Sequence, residues 1–280
     1  MKKKTAFILV AIVAVLALVY WPTLRWLVNA WMSNDYYSHG FLVPVVSGFF
    51  IWTKREYLKT RETSIIGFIL IILGVLLYLA AFFWQIRVFG GLSLLIVIVG
   101  LVFFVYGVWV AKKLWFPLVF LLFMIPAPFL QEIAYRLQET SVVSSAWLLE
   151  TLRFPITSTG PEIFMKGTTF TIGLPCSGIN TLVALLALSA VYTYILTGSG
   201  LKRIGLFIIA FPVAIIANIL RITSIIMVAY FSNVETAVGW YHDISSPLFF
   251  AFAFLLLILI SRIMKCRINY DLFRRQTWTS

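Results

Sequence analysis

The chain has 280 residues, of which 62% are hydrophobic and only 11% are charged. With a mean hydropathy of +1.00, it carries more apolar surface than one water-soluble core can hide. This excludes an ordinary soluble protein and indicates a polytopic membrane protein. The net charge of +12 does not indicate nucleic-acid binding, because the basic residues are spread among helix ends and form no single face.

The hydropathy pattern predicts an all-α fold with about eight transmembrane helices, since one span needs about 20 mostly apolar residues. The candidate spans cover residues 6–28, 40–53, 65–84, 88–110, 114–130, 176–197, 204–230 and 245–264. The lysines that precede the first span resemble the start of a signal peptide. Because this apolar run is long enough to span, we interpret it as an uncleaved first helix, and we predict a single membrane domain over residues 1–280.

A polar insertion over residues 131–175 separates the fifth and sixth candidate spans. Residues 131–153 mix charged and apolar side chains, which is typical of an amphipathic interfacial helix. Residues 154–175 are rich in Thr, Gly, Pro and Ile and predict a small β-hairpin or an extended loop. This segment leads into the helix that we expect to begin at Cys176.

The basic residues predict the orientation of the spans. With a cytoplasmic N-terminus, 16 of the 22 lysines and arginines fall in the inner loops and tails, as cytoplasmic segments prefer. Both termini are then cytoplasmic, and the 131–175 insertion faces outward. Cys176 lies at the outer side and Cys266 at the inner side, so the two cysteines are not expected to form a disulfide.

The outer end of the sixth candidate span begins with Cys176, Ser177 and Gly178. An isolated cysteine in an apolar helix is usually a small core residue. Placed in the first helical turn, however, its thiol would face unpaired backbone N–H groups and the positive end of the helix dipole. That field lowers the pKa of a thiol, and the same N–H groups could stabilise an oxyanion. The position therefore favours a nucleophilic cysteine.

Two further side chains converge on the same side of the membrane. Arg221 lies about nine residues below the outer end of the seventh span, roughly 13 Å deep at 1.5 Å per residue. A buried guanidinium is costly there and usually marks function; Asn218, three residues earlier, shares its face. His242, beside Asp243, lies in the next outer loop, where it is either a solvated histidine or a general base for Cys176.

A second polar cluster contains Asp35 and His39. These residues are candidates for alternative catalytic groups, substrate contacts or a packed polar plug. A metal site built from Asp35, His39, His242 and Asp243 is conceivable, but no ligand spacing supports it. We therefore predict neither a metal nor another cofactor.

Several of these segments resemble the exosortase/archaeosortase family of membrane transpeptidases. The likeness rests on Cys176-Ser177-Gly178, on Asn218 with Arg221, on His242-Asp243, on the segment 35–44 and on Pro126-Ala127-Pro128. It covers residues from about 30 to 250. Histidine rather than arginine at position 242 resembles the bacterial branch.

The resemblance implies a sortase-like activity on an unrelated fold, in a bacterial cytoplasmic membrane. Cys176 would form a thioester with the substrate, Arg221 would stabilise the thiolate or oxyanion, and His242 would be the general acid and base. The implied substrates are exported proteins with a C-terminal sorting signal, a PEP-CTERM-like motif followed by a transmembrane helix and a basic tail. An envelope acceptor nucleophile, which the sequence does not identify, would receive them. Ser177, Gly178, Asn218, Asp243, Asp35 and His39 are candidate supporting or substrate-binding residues.

Three other functions remain open at the level of sequence. The same residues would serve an intramembrane cysteine hydrolase that releases its substrate without transfer. A transporter with Arg221 as an anion site would tolerate replacement of Cys176, and transporters often show inverted repeats and broken central helices, which are not evident here. A scaffold for envelope polysaccharide export would tolerate changes at all three positions.

Overall fold

Helices dominate the computed structural model, in which they account for 82% of the chain. The structure describes residues 2–59, 62–165, 168–173 and 176–270, and it confirms the predicted all-α polytopic class. The chain divides into two compact units, with the boundary between Pro128 and Phe129. The single domain over residues 1–280 stays a prediction.

The first unit consists of helices. They are α1 (Lys2–Val19), α2 (Trp21–Ser33), a 3₁₀ helix (Asp35–Phe41), α3 (Leu42–Thr53), a second 3₁₀ helix (Arg55–Lys59), α4 (Ile65–Trp84), α5 (Arg87–Lys113) and α6 (Trp115–Phe120), which continues as a 3₁₀ helix (Leu121–Met124). Helices α4 and α5 approach closely at Gly67, where a Cβ atom would lie 2.2 Å from the backbone nitrogen of Phe104. Small residues permit such contacts between apolar helices.

The predicted first span is not one continuous helix. Helices α1 and α2 meet at Tyr20, and the two bend by 74°. Pro22 lies at the start of α2; it has no N–H to continue the hydrogen-bond ladder, and its ring collides with the carbonyl four residues earlier. The predicted continuous helix over 6–28 is therefore corrected to a bent pair of helices, and its being uncleaved stays a prediction.

Not all of the eight predicted spans have the length and composition expected of a membrane-crossing helix. Within the described residues, four helices are long and apolar enough to cross a membrane, and the bent first pair would make five. Two shorter apolar helices, Trp115–Met124 and Ile179–Ile195, match the fifth and sixth candidates. The second candidate corresponds to α3, whose 12 residues extend about 18 Å, less than the hydrocarbon thickness of about 30 Å. The count of eight stays a prediction.

The second unit combines helices with a small sheet. Its elements are α7 (Leu130–Thr151), β1 (Ile156–Thr159), β2 (Glu162–Met165), β3 (Thr168–Thr171), α8 (Ile179–Ile195), β4 (Leu196–Thr197), α9 (Gly200–Phe231), α10 (Val234–Thr236), a π-helical turn (Ala237–Tyr241), α11 (His242–Ile263) and β5 (Arg267–Ile268). Helix α7 matches the predicted amphipathic segment; its place at the outer interface stays a prediction.

Strands β1, β2 and β3 form an antiparallel sheet in that order. The predicted β-like segment is thus confirmed, with one strand more than a hairpin. Alternation decides which face is buried: Ile163 and Met165 are buried, whereas Phe164 between them is exposed. The buried side chains of the sheet join residues of α7 and α9 in one hydrophobic cluster, and Cys176 packs against it. This cluster fixes the sheet beside the cysteine.

Candidate active site

Cys176 lies just before α8 rather than in its first turn. The helix begins at Ile179, and its N-cap is Gly178. Leu174 and Pro175 lie outside the described residues; from the sequence, a proline at this position suits a helix start. The buried Ser177 hydroxyl accepts a hydrogen bond from the Ile179 N–H at 3.4 Å. The predicted helix start at Cys176 is corrected by three residues.

The backbone at Gly178 explains this correction. Gly178 has a φ of +83°, a left-handed conformation that glycine adopts without strain. A Cβ atom here would lie 2.5 Å from Cγ of Asn218. The turn therefore requires glycine for two reasons, and it brings the Cys176 backbone against α9.

Asn218 joins the cysteine segment to two helices. Its Nδ2 donates to the carbonyl oxygen of Cys176 and to Oγ of Ser141, each at 3.1 Å. Asn218 and Ser141 are almost fully buried, and buried hydrogen bonds of this kind hold a backbone in a defined position. Among the described residues, Oδ1 of Asn218 is buried and has no partner.

Arg221 lies one turn further along α9 and is only 4% exposed. Its Nε donates to Oγ of Ser245 at 3.2 Å, and Ser245 in turn donates to the carbonyl oxygen of His242 at 2.8 Å. Its Nη2 lies 3.2 Å from Nε2 of His242. The guanidinium is thus oriented at two of its nitrogens, and one of these contacts reaches the imidazole.

His242 is the first residue of α11, after the π-helical turn, and not a loop residue as predicted. Its Nε2 lies 3.3 Å from Sγ of Cys176, and its Nδ1 lies 3.3 Å from Oδ1 of Asp243. Arginine can only donate hydrogen bonds. The Nε2 atom that contacts Arg221 therefore carries the lone pair of the neutral imidazole, and Nδ1 carries the proton. The Asp243 side chain is 83% exposed, so that contact is weak.

The charge state of the thiol follows from its surroundings. Burial raises the pKa of the Cys176 thiol above its ordinary value, and the positive charge of Arg221 opposes this rise. The sequence predicts that the dipole of α8 lowers the pKa of this thiol. In the structure, burial and the charge of Arg221 shift the pKa in opposite directions, and burial has the larger effect. A half-buried neutral thiol needs a base within hydrogen-bond reach to become a nucleophile, and Nε2 of His242 has that position.

A cavity of about 200 Å³ opens beside the thiol. Its apolar wall comes from the end of β3, from α9 and from the π-helical turn. The lining residues are Thr171, Ile172, Cys176, Ile222, Ile225, Ile226, Val238 and His242. An acyl group entering it would meet the thiol and the imidazole on an otherwise apolar surface.

Asp35 and His39 belong to the 3₁₀ helix Asp35–Phe41 of the first unit. Burial lowers the pKa of His39, and a hydrogen bond with the backbone of Phe123 opposes this shift. Their supporting roles stay predictions. Within the described residues, no three His, Cys, Asp or Glu side chains come together in a way that could hold a metal ion.

Two contributing residues were not anticipated from sequence. Ser141 bonds to Asn218 from α7, and Ser245 bonds to Arg221 from α11. Serines are common in apolar helices, and Ser141 is 77 positions away from its partner, so no local pattern marks it. Ser245 carries a weak signal, since it is three residues after His242 and shares a helix face with it.

Comparison with known proteins identifies a family for this chain. No curated protein and no solved structure gave a significant match. A family model described as transmembrane exosortase (Exosortase_EpsH) matches residues 31–259, a range that includes Cys176, Arg221 and His242. The match supports a membrane transpeptidase-like role in general, and because it spans well over half of the sequence, the chain belongs to the transmembrane exosortase family.

Proposed function

We propose that the chain is a membrane cysteine transpeptidase whose nucleophile is Cys176, with His242 as general acid and base and Arg221 as the electrostatic stabiliser. The observation that carries the proposal is that one atom, Nε2 of His242, contacts both the thiol and the guanidinium. Nε2 of His242 lies 3.3 Å from the thiol sulfur and 3.2 Å from Nη2 of Arg221. The first contact is within hydrogen-bond reach for proton transfer, and the second places the guanidinium beside the reacting pair, where its charge opposes the rise in the pKa of the thiol.

In the first half-reaction, the Nε2 lone pair of His242 is released from its hydrogen bond with Arg221 and takes the thiol proton from Sγ of Cys176. The thiolate attacks the carbonyl carbon of the scissile peptide, and Arg221 stabilises the negative charge that develops on sulfur and then on oxygen. The C–N bond breaks as the imidazolium gives its proton to the leaving amine. The product is a thioester on Cys176. Because Arg221 also lies beside the imidazolium, it favours return of that proton.

In the second half-reaction, an acceptor nucleophile attacks the thioester and gives its proton to Nε2. The C–S bond breaks, and the proton returns to Sγ to regenerate the thiol. Two acyl transfers replace one difficult step. If water takes the place of the acceptor, the same residues carry out hydrolysis, so the products distinguish transferase from hydrolase.

The proposed substrates are exported proteins with a C-terminal sorting signal of the PEP-CTERM type, including a transmembrane helix and a basic tail. A substrate held in the same bilayer is presented at a high effective concentration. The distribution of basic residues supports cytoplasmic termini and an extracytoplasmic site in a bacterial inner membrane. Membrane lipid and an envelope acceptor are the remaining proposed partners, and nucleic acid is not one.

The test is intact mass spectrometry of a co-expressed substrate of this type, with wild type, Cys176→Ala and Cys266→Ser compared. A shortened substrate with an added group, formed by wild type and Cys266→Ser but not by Cys176→Ala, is the expected result. A shortened substrate with a free carboxylate would establish the hydrolase instead. Unchanged processing by Cys176→Ala would overturn the mechanism and favour a transporter or an envelope-export scaffold.

A further inference from the structure

Strand β3 is an edge of the small sheet, since the strand order is β1-β2-β3. Its register to β2 pairs Thr171 with Glu162 and Thr169 with Phe164. Just beyond the strand, the N–H of Ile172 donates to the carbonyl oxygen of Pro161 at 2.9 Å. The backbone of Ile172 therefore points toward β2.

Alternation along an antiparallel strand then assigns the neighbouring groups. Successive residues point their N–H and C=O groups to opposite sides. Since Ile172 points toward β2, the backbone groups of Thr171 and Thr169 point away from it, to the open edge. Both side chains are exposed, and no backbone hydrogen bond to Thr169 or Thr171 occurs on that edge among the described residues.

This edge leads directly into the candidate active site. Thr171 and Ile172 line the cavity that also contains Cys176 and His242. The end of the strand is held in place, because Nε2 of Gln138 on α7 donates to the carbonyl oxygen of Ile172 and the Ile172 side chain is buried. A peptide paired with β3 would therefore reach the thiol from a fixed direction.

We propose that the free edge of β3 binds the extended segment of the exported substrate next to its scissile peptide, as a fourth strand. This inference rests on the proposed function and adds how the substrate is held. Main-chain hydrogen bonds to Thr169 and Thr171 supply register and affinity, as in other cases of strand addition. A second copy of this chain is not the occupant, since an edge of four residues that ends in the cavity suits a single peptide.

The experiment removes edge N–H groups with proline and counts processed substrate per unit time. Thr171→Pro and Thr169→Pro each delete one outward N–H, and each is expected to lose about tenfold in processing, the scale of one hydrogen bond and its unpaired partner. Ser158→Pro is the matched control. The pairing of β1 with β2 points the Ser158 N–H toward the opposite edge of the sheet, so its processing should stay close to wild type.

Iodoacetamide is a small reagent that reacts without pairing to β3. The rate at which it alkylates Cys176 therefore reports whether the thiol site is intact in each variant. Unchanged alkylation with lost processing in Thr169→Pro or Thr171→Pro supports the proposal. Equal processing in the Thr169, Thr171 and Ser158 proline variants overturns it, as does a loss in Thr171→Ala equal to that in Thr171→Pro, since alanine retains the N–H. Absence of Cys176-dependent processing in wild type would instead refute the proposed function on which this inference rests.

Discussion

The hydroxyl of Ser245 connects the guanidinium of Arg221 to the backbone of His242. It accepts a hydrogen bond from Nε of Arg221 at 3.2 Å and donates one to the carbonyl oxygen of His242 at 2.8 Å. Ser245 is fully buried, so water does not compete for either bond. One small side chain thus couples the guanidinium on α9 to the first turn of α11.

Replacement of Ser245 by alanine should misorient Arg221 and leave its Nε without a partner. Loss of a hydrogen bond to a buried charged group costs about 1–3 kcal/mol, so processing should decrease roughly tenfold or more while the protein still inserts. The measurement is the rate of substrate processing in membranes. Ser261→Ala is the control, because Ser261 is also buried on α11 but bonds to Tyr192; an equal loss there would contradict a specific role for Ser245.

Gly178→Ala should impair both stability and processing. The left-handed backbone costs an L-residue about 1–2 kcal/mol, and the new Cβ would lie 2.5 Å from Cγ of Asn218, which displaces the bond to the Cys176 carbonyl. Thermal unfolding in detergent and processing rate measure the two effects. Gly160→Ala is the control for backbone strain without a steric contact. Gly160 also has a positive φ, +57°, but an added Cβ atom there would meet open space. Normal processing by Gly178→Ala would show that the Asn218 contact is dispensable.

Arg221→Lys should lose processing severely although the charge is retained. Lysine has no planar fork and cannot bond to Ser245 and His242 with the geometry that Nε and Nη2 provide. Loss of one such donor typically lowers turnover roughly 100-fold. Single-turnover formation of the thioester is the measurement. Turnover close to wild type would mean that the site needs only a positive charge.

The rate of Cys176 alkylation should respond to pH in a way that reports on Arg221. Burial raises the pKa of the thiol and Arg221 opposes the rise, so the thiolate forms only as pH increases above the ordinary thiol range. In Arg221→Gln the opposing charge is gone, and the alkylation profile should move to still higher pH. Cys266→Ser is the background for both proteins, because it leaves Cys176 as the single cysteine of the chain. An unchanged or lower profile would contradict the electrostatic contact.

Some of this protein could be predicted from the sequence because the signals are local. Long apolar runs indicate a polytopic α-helical protein, and a guanidinium within such a run is too costly to be incidental. Arg221 was selected on this ground, Cys176 from its expected place at a helix start and His242 from its place on the same outer side, and His242 contacts both of the other side chains. Their catalytic roles stay predictions that the experiments above address.

The tertiary structure decided the features that depend on distant partners. Gly178 sets the start of α8 through its contact with Asn218, 40 positions away, which no window of local sequence can register. Ser141 and Ser245 joined the site because helix packing placed them there. The sequence by itself determined the membrane class and the presence of a costly buried charge at Arg221, because hydropathy and desolvation are properties of individual residues. Only the fold could assign the hydrogen-bond partners, because the elements that carry them meet through packing.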